Sequence, residues 1–320
     1  MKKILLATTM LTATAGIASA EMTVTGSARM GVQSNFVDNY DADGVYVDTT
    51  VQAAFNSRFR IDFTGSGTTD GGLTFGASAR ADQAGIGLSQ DEDNNITAGG
   101  GANGNRWMNA GSVYLAGSFG TITMGDTGNA ADSLVGQVSY VGYTSLNSWN
   151  EIGFLSKDTT GVQYAYSANG LTFAIGAGQT FDPAGSLDPD LATPGDDNFW
   201  SAAIKYGTDQ YSVALGYEQN EDDSQISFLG SATFSGFTGK LKLADRETLD
   251  DMMWAISGDY TMNGVGLTAY YNADANDYGA AYGMGASYDL GGGASVVGGI
   301  AQHDEDGYGS IFDLGVQMSF

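Results

Sequence analysis

The stretch Tyr308-Gly-Ser-Ile-Phe-Asp-Leu-Gly-Val-Gln-Met-Ser-Phe320 alternates in polarity residue by residue. From Tyr308, every second side chain (Ser310, Phe312, Leu314, Val316, Met318, Phe320) belongs to one mostly apolar face. The other face is Gly309, Ile311, Asp313, Gly315, Gln317 and Ser319, small or polar apart from Ile311. Successive side chains of a strand point to opposite sides, so the pattern predicts a strand with one greasy and one wet face. A wet face too small and polar to fill a core fits a barrel in lipid better than a sandwich in water.

The same alternation recurs upstream. Sixteen segments carry it, near 22–33, 51–64, 73–82, 105–117, 121–126, 161–167, 171–180, 198–206, 211–218, 225–234, 237–244, 251–260, 265–272, 277–288, 293–302 and 308–320. Turn signals such as Ala168-Asn-Gly170 and Ser235-Gly236 join them as antiparallel neighbours. All three prolines, Pro183, Pro189 and Pro194, fall in one connection and leave the ladders free. The expected fold is all-β: a 16-stranded antiparallel transmembrane β-barrel. A soluble sandwich or propeller would need bulky residues on its inner face, and here that face is Gly, Ser, Thr, Ala and charges.

Connections alternate short and long. Short turns are expected on the periplasmic side and long loops outside, and 25 of the 37 acidic residues fall in the long connections. Aromatic residues gather beside the short turns (Tyr166, Tyr206, Tyr211, Phe234, Phe237, Tyr260, Tyr288, Phe320), as an interfacial girdle would require. Asp126 is the single charge on the lipid parity, at a strand end.

Residues 1–20 read as a cleaved signal peptide: Lys2 and Lys3, an apolar stretch from Ile4 to Ile17, then Ala18-Ser-Ala20. Residues 21–320 form the one barrel domain. Its cleavage removes two of the 12 basic residues and no acid, deepening a net charge of −25. That charge argues against nucleic acid as a partner. No apolar run is long enough for a membrane-spanning helix, which does not argue against a barrel. The chain has no cysteine, so disulfides and thiolate metal sites are excluded.

Four arginines, Arg29, Arg58, Arg60 and Arg80, share the inward parity of the first three strands and fall in one quadrant. Lys205, Lys240 and Lys242 are inward further round. The connection from about Thr127 to Thr160 carries Asp132, Glu151 and Asp158 among many apolar residues, including Val141, Tyr143, Trp149, Ile152 and Phe154. A solvated loop rarely holds so much apolar area, so it is expected to pack on the barrel wall.

No catalytic set can be built, and an enzyme is not expected. Gly99-Gly-Gly101-Ala-Asn-Gly104 matches a dinucleotide fingerprint by letter only, with no following helix. The only histidine, His303, is expected on an external loop surface. No cofactor is expected. Oxygen-rich runs such as Asp91-Glu-Asp93 and Glu221-Asp-Asp223 lack the EF-hand spacing and could hold calcium only weakly.

The chain resembles the general porins of photosynthetic alphaproteobacteria, the Rhodobacter type. The likeness rests on Ala28-Arg-Met-Gly31, Asn56-Ser-Arg-Phe-Arg-Ile61 with Gly67-Thr-Thr69 and Leu73-Thr-Phe-Gly-Ala77, and on Met124-Gly-Asp126 with Val141-Gly-Tyr-Thr144. It is strongest over Gly285-Ala-Ser-Tyr-Asp-Leu-Gly-Gly-Gly-Ala-Ser-Val-Val-Gly-Gly-Ile-Ala301 and Asp313-Leu-Gly-Val316. The resemblance implies a homotrimer in the outer membrane, narrowed by an inward-folded third external loop. It also implies a constriction whose basic side is Arg29, Arg58, Arg60 and Arg80, and an acidic loop facing it with Asp132, Glu151 and Asp158. The loop has fewer acids than relatives carry, which weakens any calcium site there. The implied function is passive diffusion of small hydrophilic solutes and ions. The alternative is an acidic barrel with a plugged lumen whose external loops bind a partner.

Overall fold

The computed structural model describes residues 21–40, 46–86, 89–90, 96–97, 111–155, 160–181, 194–273, 279–304 and 309–320. Within them sixteen antiparallel strands close into one barrel. In chain order these are β1 (Glu21–Tyr40), β2 (Tyr46–Thr68), β3 (Thr74–Ile86), β6 (Ser112–Gly117), β7 (Gly120–Asp126), β8 (Thr160–Ala168), β9 (Leu171–Phe181) and β10 (Pro194–Gly207). They continue with β11 (Tyr211–Gln219), β12 (Ser224–Phe234), β13 (Phe237–Arg246), β14 (Met253–Met262), β15 (Val265–Asn272), β16 (Ala281–Gly291), β17 (Ala294–His303) and β18 (Ser310–Ser319). A separate two-residue hairpin, β4 (Ser89–Gln90) with β5 (Ile96–Thr97), lies in the second long connection. Each barrel strand pairs with its neighbour in sequence, and β18 closes on β1 with Arg29 opposite Gln317 and Gln33 opposite Asp313.

The alternation is realised as lipid would demand. On β11, Tyr211, Val213 and Leu215 are exposed, while Ala214, Gly216 and Glu218 on the opposite parity are buried. On β14, Trp254 and Ile256 are exposed, and Met253 and Ala255 between them are buried. The girdle residues Tyr166, Tyr206, Tyr211, Phe234, Phe237, Tyr260, Tyr288 and Phe320 are all exposed. Phe320 stacks on Phe59 across the closure. The hairpin turns Asn169-Gly170, Ser235-Gly236 and Asn263-Gly264 have both central residues at positive φ, matching the twist of the strands they join.

Several boundaries differ from the sequence reading. β1 and β2 run on as a paired ribbon to Tyr40 and Tyr46, where a long loop was expected. Thr49, Thr50, Val51, Phe55 and the residues opposite them favour continued pairing over coil. The strand expected over 105–117 begins at Ser112, and 101–110 lie outside the described residues.

The buried apolar contacts sit on the polar-parity face of the wall. Residues 127–155, the third connection at the end of the barrel away from both termini, lie along it. Three clusters join this segment to the strands. Ala131, Val135 and Phe154 meet Ala214. Val138 and Ile152 meet Ala244, Met253 and Ala255. Val141, Leu146 and Trp149 meet Tyr270, Ala281, Ala301 and Ile311. Ile311, the apolar exception on the wet face of the last strand, is thus part of the seat for this segment.

Candidate functional site

The arginine quadrant forms as expected, and its geometry follows from register. Arg29 on β1 stands directly opposite Arg58 on β2, and Ser27 opposite Arg60. On the other side of β2, Arg60 faces Asp82 and Asp62 faces Arg80 on β3. Like charges paired across strands repel. Here a carboxylate on the next strand relieves them. Arg58 donates from Nε (2.8 Å) and Nη2 (2.5 Å) to the two oxygens of Asp82, and Arg60 Nε donates to Asp82 at 2.7 Å. Arg80 Nε donates to Asp62 at 2.7 Å. Arg29 Nη1 donates to the carbonyl of Tyr143 at 3.1 Å, tying the wall to the folded segment.

Among the described residues, the carboxylates in contact with Arg58, Arg60 and Arg80 are therefore Asp82 and Asp62 of the wall, not Asp132 or Glu151 of the loop. Asp82 was not singled out from sequence. Its signal was available: Arg80-Ala-Asp82 places acid and base on the same parity, next to Arg58-Phe-Arg60 with Asp62. Asp132 and Glu151 act instead on Lys242 of β13, together with Glu218. In the ring of strands, β12 stands eight places from β2, so the β11–β13 wall is diametrically across the barrel from the arginines. Asp132 and Glu151 thus stand on the other side of the barrel from the arginines. Asp158 lies outside the described residues.

The folded segment begins with the short helix α1 (Ala130–Val135). Asn129 caps it, accepting from the Asp132 amide at 2.6 Å, and Gly136 ends it at φ 71°. The Asn129 amide also donates to Glu218 on β11 at 2.8 Å, and the Ala130 amide donates to Ser201 Oγ at 2.8 Å. Glu218 is buried and accepts a second bond from Gln225. Lys242 is fully buried and staples both limbs of the segment. Its ammonium donates to Gln137 Oε1 at 2.8 Å and to the Ile152 carbonyl at 2.9 Å, and lies 3.9 Å from the centre of the Phe154 ring. A buried ammonium without such partners would cost several kcal/mol.

Further round, Ser139 bonds to Ser257 and Asp259 on β14 (3.0 and 2.6 Å). Thr144 donates its amide and its hydroxyl to Asp313 on β18, both at 2.7 Å. Asn272 donates to the carbonyls of Trp149 and Glu151 at 3.1 and 3.0 Å. Between these anchors the backbone lies directly on glycine. A Cβ on Gly299 of β17 would come within 2.6 Å of the Gly142 nitrogen. Gly216 of β11 likewise leaves room for Ala131 and Val135 of α1. The tip, Ser145–Ser148, holds four consecutive non-glycine residues at positive φ. Such residues cost on the order of 1 kcal/mol each and persist only where surroundings impose them. Here the surroundings are the Thr144–Asp313 bonds and buried Leu146 and Trp149.

Tyr143 is 1% exposed, its ring over Gly315 and near Arg29 (6.0 Å). Burial, reinforced by the Asp313 carboxylate, pushes its phenol up to about 12, so the ring stays neutral at ordinary pH. His303 corrects the sequence reading. It ends β17, is 4% exposed, and meets Trp149 edge-on at 5.4 Å. Among the described residues no three carboxylates or histidines gather as metal ligands. Asp91-Glu-Asp93 lies outside those residues.

Two cavities lie beside the folded segment. One cavity of about 450 Å³ is lined by Arg29, Arg58, Arg60 and Tyr140, and another of about 520 Å³ by Lys240, Asp259 and Tyr140.

A family model described as Gram-negative porin matches residues 7–308. The chain is 32% identical to a porin of Rhodobacter capsulatus over 94% of its own length and all of that protein. It is 27% identical to a porin of Fuscovulum blasticum, again over 94% of its length and all of the relative. A solved porin structure at 28% identity superposes with a TM-score of 0.66, covering 94% of this chain and all of that one.

Proposed function

Because the chain belongs to the family of Gram-negative porins, we propose that it is a passive diffusion channel of the outer membrane for small hydrophilic solutes and ions. The observation that supports this reading is a closed barrel with polar and charged cavities beside the segment 127–155 that packs on its wall. The plugged-barrel alternative draws no support from such cavities. Selectivity arises where the loop crosses. Arg29, Arg58, Arg60 and Arg80 form the basic side, and Asp132, Glu151 and Asp158 belong to the acidic loop. Asp62 and Asp82 neutralise part of the basic side in place, so the transverse field is weaker than four bare arginines would produce. Fixed charges act strongly where little water intervenes. The acidic excess of the chain favours cations at the mouth, most visibly at low salt. The working unit is a homotrimer, and residues 1–20 direct export.

Planar-bilayer recording tests this. The purified protein should conduct with a modest cation preference. Replacing Arg58 and Arg60 by Ala removes two cations and releases Asp82, so reversal potentials should shift further toward cations and neutral sugars should pass faster. Unchanged reversal potential and sugar flux would remove these arginines from the constriction.

A further inference from the structure

Most apolar residues of the folded segment are buried, and Leu134 and Leu155 are half-buried. Val138, Val141, Tyr143, Leu146, Trp149, Ile152 and Phe154 all pack on the wall, whereas Tyr140 is 52% exposed. Its place explains how this is possible. It lines both lumen cavities, and Ser295 and Gln317 are shared between them as well. An aromatic face held at a narrowing, with hydroxyl and amide groups beside it, is a surface on which a ring can stack.

The arginine side supplies the second feature. Arg58 donates to Asp82 through Nε and Nη2, and Arg60 through Nε, which leaves terminal guanidinium nitrogens that no described bond occupies. Both side chains are partly exposed, at 28% and 30%. Arg29, Arg58 and Arg60 against Asp82 leave a local excess of positive charge, and planar guanidinium groups match phosphate oxygens in geometry. A volume of about 450 Å³ falls in the range of small-ligand sites.

We propose that Tyr140 and the Arg29–Arg58–Arg60 group form a transit subsite for sugar monophosphates, the phosphate meeting Arg58 and Arg60 and the sugar ring lying on Tyr140. This rests on the channel reading above. It makes the arginine side more than a source of field: in a barrel that favours cations overall, it gives one class of anionic solute a place to pause.

The test is current through the purified protein in planar bilayers, with glucose 6-phosphate, glucose or inorganic phosphate added and each trace normalised to that channel's own KCl conductance. Glucose 6-phosphate should reduce the current at lower concentration than phosphate, with glucose having no effect. Y140S should raise the half-blocking concentration of glucose 6-phosphate roughly fivefold, the size of a lost stacking contact, and leave phosphate unchanged. R60A should weaken both anions about tenfold. Equal effects of glucose 6-phosphate and phosphate, or no change in Y140S, would overturn the role of Tyr140. No effect of either anion in a conducting channel would overturn the subsite while the channel reading stands. Absence of any conductance would overturn both.

Discussion

At the scale of single residues, the described charges include some that line the cavities and some that hold the folded segment on the wall. Lys242 belongs to the second group. Lys242→Met keeps most of the packing against Phe154 but leaves Gln137 Oε1 and the Ile152 carbonyl without their cationic partner and buried Glu218 with Arg246 alone. Losing one side of a buried charged cluster costs about 3–5 kcal/mol. The expected result is a lower heat-unfolding midpoint, followed by circular dichroism, and a noisier open-channel current. Adding Glu218→Gln should restore part of the midpoint; if the two losses simply add, the two groups are not coupled. Parity made Lys242 an inward residue, yet only the path of the loop turned it into a staple, because the two oxygens that accept from its ammonium stand at least ninety positions away in sequence.

At the scale of elements, strands β16, β17, β18 and β1 are legible from alternation, but their glycines are not. Gly283, Gly299 and Gly315 read as small lumen residues until Val141, Gly142 and Tyr143 are laid upon them. Gly299→Ala would put a methyl group against the Gly142 backbone, and overpacking of this kind costs about 1–3 kcal/mol. The segment should lift from the wall into the lumen, lowering single-channel conductance while barrel circular dichroism is preserved. Gly65→Ala is the control, since nothing lies within 4 Å of its added Cβ. Equal conductance in both variants would mean that the loop is not seated by close approach at this glycine.

At the scale of the whole molecule, two arrangements follow. β1 starts, and β18 ends, at the edge that carries the short turns: the Gly293 carbonyl accepts from Ser319, and Glu21 stands opposite Ser66 near the β2–β3 turn. With short turns inside, a cysteine at Glu221 should react with an impermeant maleimide on intact cells and one at Asp209 should not. Labelling of Asp209 alone would invert the barrel. The outward side of β1 to β3 carries the small residues Ala28, Ser57, Ala77 and Ala79, which permit close approach of a second subunit in lipid, while Gly26 of the same face is covered by the Phe320 ring. Native mass in mild detergent should be near three times that of the mature chain. A monomer under every condition that keeps conductance would remove the trimer.

The sequence by itself determined the barrel, its strand count, its lipid face and the quadrant of arginines, because each depends on a period of two that tertiary structure cannot alter without moving every side chain to the wrong solvent. It also marked residues 127–155 as too apolar for solvent. Tertiary structure alone decided what that segment rests on, and therefore which charges meet. Asp82 rather than Asp132 or Glu151 answers Arg58 and Arg60, Lys242 joins the two limbs of the loop, and His303 is covered by Trp149. These pairings depend on strand register and on a chain crossing the lumen between residues distant in sequence, and no local pattern of polarity encodes either.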